Sequence, residues 1–483
     1  MMLAFAALLC LASGFVLVSM GWFRRSPPRA ALPLMLWLSI GYGLGIFSVV
    51  FLLSRIFVAN LIVADVALFA VLLVAWWAIS RSRPRLDAKT ASSNSAQSPK
   101  WLRQSRSAAF AIALCSALYS LVMRALADPH GDGWDAFTTW NLHARFLFRG
   151  GLNWRDGFTP LHIWTHPDYP LLLPAAIAHF WSYLGRDEAA VPAIIGLIFT
   201  VATVGVLFSA LSLLRGRTPA MLAATALLAT PFFIELGTSQ YADVPLAFYF
   251  LATVVLLCLY DGRPVDAKHS PGLLVLAGLA AGFAAWTKNE GVLFLCAIVL
   301  VRLLFLVKPA GKREMSQDPR KDWMALAWLI AAAAPALLLI AWYKHSVVPP
   351  GDLFANPAGT TLHKLLDPAR YWAILQWYVK EFFRFGHWLL IPGTVLLVAF
   401  YFVAGREEGP RQPGFRTSVL ALTLTLAGYF AVYLITPYEI HWHLRFSLAR
   451  LFVQFWPSTI FLFFSAVRCG AEAQSNFPQP TAK

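Results

Sequence analysis

DPHGDGWDAFTTWNLHARFLFRGGLNWRDGFTPLHIWTHPDYP, residues Asp128 to Pro170, is the longest polar stretch outside the basic loops, and apolar segments flank it on both sides. Asp132, Asp135, His143, Arg145, Asp156, His166 and Asp168 crowd here with Trp134, Trp140, Trp154, Trp164 and Tyr169. Acids, imidazoles, a guanidinium and aromatic faces at a membrane edge make a candidate active site. Wheeled at about 100° per residue, 135–149 puts Ala136, Phe137, Trp140, Ala144, Leu147 and Phe148 on one side. Asp135, Thr138, Asn141, His143, Arg145 and Arg149 fall mostly on the other, interrupted by Leu142 and Phe146. Such a helix is too short and too charged to span a bilayer and suits the interface. Asp132 or Asp135 can cap it, which leaves the other acid for chemistry.

Outward from this loop the chain is apolar. Its 483 residues are 59% hydrophobic and 13% charged, with mean hydropathy +0.62, and apolar runs long enough to cross a bilayer recur throughout. The pattern predicts an all-α polytopic membrane protein with about 13 transmembrane helices and amphipathic interfacial helices in a large first periplasmic loop. The spans are expected near 2–22, 30–52, 56–79, 107–127, 190–214, 219–236, 244–260, 272–287, 291–307, 323–343, 386–404, 416–436 and 451–467. The first run lacks a basic leader and a small-residue cleavage site and ends in Arg24 and Arg25, so it reads as a retained helix that starts outside. The segment 171–186 is short and holds Pro174 and His179, and is expected to be a second interfacial helix.

A net charge of +15 would suggest nucleic acid in a soluble protein. Here the cations sit in short loops, with about 25 of the 39 Lys and Arg on one side of the alternating connections. That excess predicts an N-terminus outside, a C-terminus in the cytoplasm and a site on the non-cytoplasmic face; the expected setting is a bacterial inner membrane with the site periplasmic or extracellular. No nucleic-acid partner is expected. The five cysteines lie in or beside apolar runs without CxxC spacing, so neither a disulfide framework nor a zinc site is indicated.

Composition divides the chain into a three-helix segment at 1–80, a flexible basic linker at 81–106, a membrane module at 107–310 with its outer loop at 128–190, C-terminal helices at 311–470 with outer loops 344–385 and 437–450, and a tail at 471–483. Asp65 is the exception in the first segment; a carboxylate inside a span calls for a partner, and Arg55 is the expected one. Polar groups of other outer connections face the same compartment as the long loop. They include Tyr241 and Asp243 in SQYADVP, Lys288 and Glu290 in TKNEG, and His441, His443, Arg445 and Arg450 in TPYEIHWHLRFSLAR.

Lys288, placed at the outer membrane surface between two apolar runs, suits the phosphate of a lipid whose tail lies among helices. Arg445 or Arg450 could grip two oxygens in fork geometry, with His443 beside them. The alternative for Lys288 is an ordinary surface lysine paired with Glu290. A lipid phosphate beside an exposed carboxylate suggests group transfer, with Asp135 as general base and Asp132 its rival. Trp140, His143, His166, Asp168, Tyr169, Tyr241, Glu290 and His441 are the expected substrate contacts. His441 and His443 would point the same way on a strand or loop, but no metal ligand set is assigned, and no cofactor is called for beyond a divalent cation, Mg or Mn, that could accompany a phosphate donor.

Several segments together resemble the GT-C superfamily of membrane glycosyltransferases, of the protein O-mannosyltransferase and aminoarabinose transferase type. They are GDGWDAFTTWNLHARFLFRGG in the first large outer loop, HPDYPLLLP after it, Asp243 in SQYADVPLAFYFLA, and GLAAGFAAWTKNEG ending in a lysine. The resemblance covers about residues 107 to 310. It implies a sugar donor on polyprenyl phosphate, a hydroxyl acceptor on a glycan, lipid or protein, Asp135 as base, Asp243 as a second acid and Lys288 as a phosphate contact. The sequence departs from the commoner acidic pair, having Trp134 before Asp135 and Ala136 after it, and the three helices before residue 107 displace the loop from its usual place. Competing readings are a polymerase or ligase joining lipid-linked glycans, and a transporter or flippase of lipid-linked saccharides. The transporter would need polar residues through the midplane or paired repeats, and only Asp65 fits.

Overall fold

An apolar run in hydrocarbon has only its own backbone to hydrogen-bond with, so it closes into helix. The computed structural model describes residues 1–22, 29–81, 99–131, 133–262, 271–307, 319–351, 353, 357–388, 392–406 and 413–469. The only β-type pairing among them is a lone bridge between Arg406 and Val467. The helices are α1 (Met2–Gly21), α2 (Leu32–Ile56), α3 (Leu61–Arg81), α4 (Lys100–Ala127), α5 (Asn141–Arg149), α6 (Leu172–Leu184), α7 (Ala190–Arg215), α8 (Arg217–Leu228) and α9 (Pro231–Thr238). They continue with α10 (Asp243–Asp261), α11 (Gly272–Thr287), α12 (Asn289–Val307), α13 (Pro319–Ser346), α14 (Ala358–Leu366), α15 (Pro368–Arg384), α16 (Gly393–Ala404), α17 (Pro413–Ile435) and α18 (Ile440–Ala466). The protein is an all-α polytopic membrane protein.

Among the described residues ten helices are long and apolar enough to cross a membrane by themselves, and α8 with α9 could make an eleventh, bent by 67°. The bend falls where Pro231 opens α9, since proline cannot continue the ladder of the helix before it. The thirteen expected spans lie on those ten helices, on this bent pair, and on the shorter α11 and α16. α6 has 13 residues, about 20 Å of rise and well short of a hydrocarbon core. It does not lie on a surface, as an interfacial helix would, because α2, α5 and α1 cover it and only Ser182 and Leu184 escape burial.

Alternating helices give the bundle two ends. Arg215 donates to the Val467 carbonyl at one of them, where Gly414 also packs against the end of α10. The start of α10, the α11–α12 turn, the last turn of α13 and the first turns of α18 gather at the other. A single residue, Lys288, in extended conformation separates α11 from α12. The Gly291 amide donates to the Lys288 carbonyl at 2.9 Å, and a methyl on Gly291 would run into the Ala284 carbonyl. Gly291→Ala is therefore expected to lower the apparent unfolding midpoint in detergent by several degrees, a loss of about 1–3 kcal/mol from overpacking. A midpoint equal to wild type would show that the turn has slack.

Two features of this end differ from the sequence reading. α18 starts at Ile440, so the expected outer loop 437–450 is mostly helix, capped by the Glu439 carboxylate on the amides of His441 and Trp442. The second is that the loop 344–385 contains two amphipathic helices, α14 and α15, the latter begun by an Asp367 cap and Pro368. Arg370 of α15 donates to the carbonyls of Tyr433 and Leu434, fixing α15 over the end of α17.

Asp65 is buried and paired, but not with Arg55. Its Oδ2 accepts from the Tyr183 hydroxyl at 2.7 Å and lies 2.8 Å from His179 Nε2, both on α6. The sequence offered only a neighbour in the chain, while the partners come from a helix more than a hundred residues away.

Candidate active site

Four segments bring charge together at the end of the bundle where α10 begins. The long loop approaches first. Gly131 and Gly133 take φ of +89° and +85°, a region open to glycine and costly to other residues. Side chains there would meet the Ser239 carbonyl and the Tyr241 hydroxyl. Gln240 reaches back to the Pro129 carbonyl at 3.0 Å. Asp132, between the two glycines, lies outside the described residues. Asp135 then opens a five-residue π-helical turn, Ala136–Trp140, that runs into α5.

Asp135 Oδ2 accepts from Arg450 at 2.6 Å. The same guanidinium donates through Nε and its other terminal nitrogen to Asp243 Oδ2, at 3.0 and 2.9 Å. Asp243 Oδ1 accepts from Lys288 at 3.0 Å and from Gln454 at 2.6 Å, and Lys288 reaches Glu290 at 3.0 Å. Asp135, Arg450, Asp243, Lys288 and Glu290 thus form one alternating chain of charge. Asp243 is fully buried, while the Asp135 side chain, 31% exposed, is the most open of the three carboxylates in this cluster. Its second oxygen has no hydrogen-bond partner among the described residues.

Lys288 is not the ordinary surface lysine that stood as the alternative to a phosphate contact. It is 3% exposed and lies between two carboxylates, Asp243 and Glu290; a buried ammonium persists only with such pairing. Nor is it a simple pair with Glu290, since Asp243 holds it equally closely. Arg450 is likewise bonded to two acids, and it lies over the Tyr241 ring at 4.5 Å. Burial, with Asp135 adding to it, pushes the Tyr241 hydroxyl up to about 12.

The HPDYP stretch is bolted to the same end. Tyr343 of α13 donates to the Pro167 carbonyl at 2.6 Å. Asp168 accepts from Asn289 at 3.0 Å, and Asn289 in turn accepts from Lys344 at 2.8 Å. Tyr169 stacks on Trp140 with ring centres 5.5 Å apart and planes 9° from parallel, and Lys288 Nζ lies 5.7 Å from the Tyr169 ring centre. His166 holds the left-handed turn before Pro167, at φ +53°, and packs its ring against Tyr169.

Several expected substrate contacts are placed differently. Trp140 is buried with one face occupied by Tyr169, so it supports the site instead of offering a platform. His143 is fully buried, with Nε2 3.1 Å from Thr165 Oγ1, because the loop after α5 folds over what the helical wheel gave as a solvent face. His441 and His443 stand on a helix, where two residues turn through about 200° and point apart. His441 accepts from Trp377, and His443 contacts Thr436. Arg445 is exposed beside Phe446, about 140° around α18 from Arg450. Among the described residues no three His, Cys, Asp or Glu side chains converge as a cation site.

Burial holds the His143 ring down to about 3, with His166 and His162 adding to the effect. An unfolded histidine takes up its proton near 6.5, so stability from the neutral buried ring is complete above that pH and lost as pH falls, by up to about 1.4 kcal/mol per unit. Between pH 7 and pH 5 the wild-type midpoint is expected to fall further than that of His143→Gln. Equal falls would put the acid sensitivity elsewhere. A neighbouring cluster works in the same sense at lower pH: Arg149, then Arg145, hold the Asp187 carboxylate below its usual range, and the stability this gives is also lost as pH falls.

Gln454 and Tyr429 belong to the site and were not singled out from the sequence, whereas Asn289 was read with Lys288 and Glu290 as a polar group of the TKNEG turn. Gln454 had a signal, being an amide inside an apolar span four residues after Arg450 and so on the same helical face. Tyr429 donates to Gln454 and orients it.

Residues 166–339 match the family described as dolichyl-phosphate-mannose-protein mannosyltransferase. Over that stretch the chain is similar to membrane glycosyltransferases of the GT-C type. The matched region holds Asp168, Asp243, Lys288 and Glu290; Asp135 lies before it and Arg450 after it. No curated protein and no solved structure matches the chain.

Proposed function

We propose that this protein is a glycosyltransferase that takes a sugar from a polyprenyl-phosphate donor and places it on a hydroxyl of a glycan, lipid or protein at the non-cytoplasmic face, with Asp135 as general base. The observation that supports this most is the shared guanidinium: Arg450 fixes one oxygen of Asp135, the most open carboxylate of the cluster, and joins it to the buried Asp243–Lys288 pair. The free oxygen of Asp135 accepts the acceptor's proton as its hydroxyl oxygen bonds to the sugar C1. The C1–phosphate bond breaks on the opposite side and polyprenyl phosphate leaves, in one in-line displacement.

The cations keep donors for that phosphate. A guanidinium has five N–H groups, and the contacts to Asp135 and Asp243 engage three nitrogens once each. Lys288 has a third N–H beyond those given to Asp243 and Glu290. Donors already held in place need no reorganisation when charge develops on the leaving group. The positive excess at the opposite end of the bundle supports the non-cytoplasmic placement. The direct test incubates the purified protein in nanodiscs with undecaprenyl-phosphate hexoses and pentoses and a deglycosylated envelope extract. Release of undecaprenyl phosphate coupled to a new glycosidic bond is expected with one donor; folded protein that turns over none of them would overturn the proposal.

A further inference from the structure

Away from the charge cluster, and sharing no residue with it, a cleft of about 290 Å³ opens at the same end of the bundle, where α2 gives way to α3. Phe51, Ser54, Arg55 and Val58 line one side; Leu152 of the long loop and Ser182 of α6 line the other. The lining is mostly apolar, with one cation. The Arg55 guanidinium lies 5.3 Å from the Phe51 ring centre and makes a single long contact of 3.4 Å to the Phe148 carbonyl. Among the described residues no carboxylate pairs with it, in contrast to Arg450, Arg145, Arg149 and Arg302, which all have acids.

Two further observations describe the mouth. Val58 holds φ of +53° directly after α2, and the Ala59 amide closes back to Ser54. That is the position where helices normally place glycine, and a β-branched residue is costly there. Val58 and Leu152 are nonetheless 71% and 77% exposed. Beside them α3 runs for 21 residues with only Asp65 and Leu72 buried, so apolar surface continues from the cleft down the edge of the bundle.

We propose that this cleft binds an anionic phospholipid, with its phosphate on Arg55 and its acyl chains along α3. A half-buried guanidinium without a carboxylate, in apolar walls at the level where the spans end, fits a phosphate attached to hydrocarbon. The site is separate from the catalytic cluster, and the proposal does not rest on the reading of that cluster.

Native mass spectrometry of the detergent-solubilised protein, titrated with phosphatidylglycerol or phosphatidylcholine, tests it. Wild type is expected to retain one phosphatidylglycerol about tenfold or more tightly than Arg55→Gln does, the scale of a charge-assisted hydrogen bond. Arg186→Gln, which removes an exposed cation on the same side, should retain the lipid as wild type does. Leu152→Trp, at an exposed position, should fill the mouth and lower retention without touching Arg55, so the test survives if Arg55→Gln does not fold. Equal retention by wild type and both cleft variants, equal binding of phosphatidylcholine, or displacement of the lipid by soluble glycerol phosphate would each overturn the proposal.

Discussion

Asp135→Asn is expected to lower sugar transfer by about 10²–10⁴, the usual contribution of a positioned general base, while leaving the protein inserted and its unfolding midpoint within a few degrees of wild type. Asparagine keeps the size of the side chain and an oxygen for Arg450, but it cannot take a proton. Asp135 is also the carboxylate of the cluster with the most open surface, so the folded state has least to lose there. Transfer is measured with saturating donor, so that a change in donor binding does not register as lost chemistry. Wild-type turnover in the variant would remove Asp135 from the mechanism and leave Asp132 as the base.

The second large effect is expected at Asp243, on stability as much as on activity. Its two oxygens take four hydrogen bonds, from Arg450, Lys288 and Gln454, with no surface of its own exposed. Asp243→Ala leaves Lys288 with Glu290 alone and Arg450 with Asp135 alone. Removing one partner of a buried ion pair typically costs about 3–5 kcal/mol. The variant is expected to unfold at a markedly lower temperature, and Asp243→Asn to recover part of that loss without recovering transfer. If Asp243→Ala were as stable as wild type, the buried charge chain would not exist as described.

The sequence was informative where physics acts locally. Apolar runs give helices because hydrocarbon leaves the backbone no other choice, and the thirteen expected segments all lie on helices. The acids and the lysine of the cluster were legible as polar residues at the edges of those runs. Their relation was not, because it depends on Arg450, which belongs to α18 and meets Asp135 and Asp243 only through packing. Reading 437–450 as a loop hid this: in a helix, Arg450 and Gln454 share a face that His441 and Arg445 do not. Burial was the other blind spot. The wheel of 135–149 assumed water on one side, but the following turns and α6 cover that side and take His143 inside. Lys288 misled for the same reason, since a lysine between two apolar runs reads as exposed until its two carboxylates are placed.

Mass spectrometry of envelope glycans and lipids bears most directly on the central claim, that this cluster transfers a sugar from a polyprenyl-phosphate donor. It compares cells lacking the protein with the same cells carrying wild type or Asp135→Asn. The account predicts one glycan, lipid or glycoprotein short of a single sugar in the deleted cells, restored by wild type and not by the variant, with the unused polyprenyl-phosphate sugar accumulating. Identical glycan and lipid profiles in all three, or full restoration by Asp135→Asn, would contradict it.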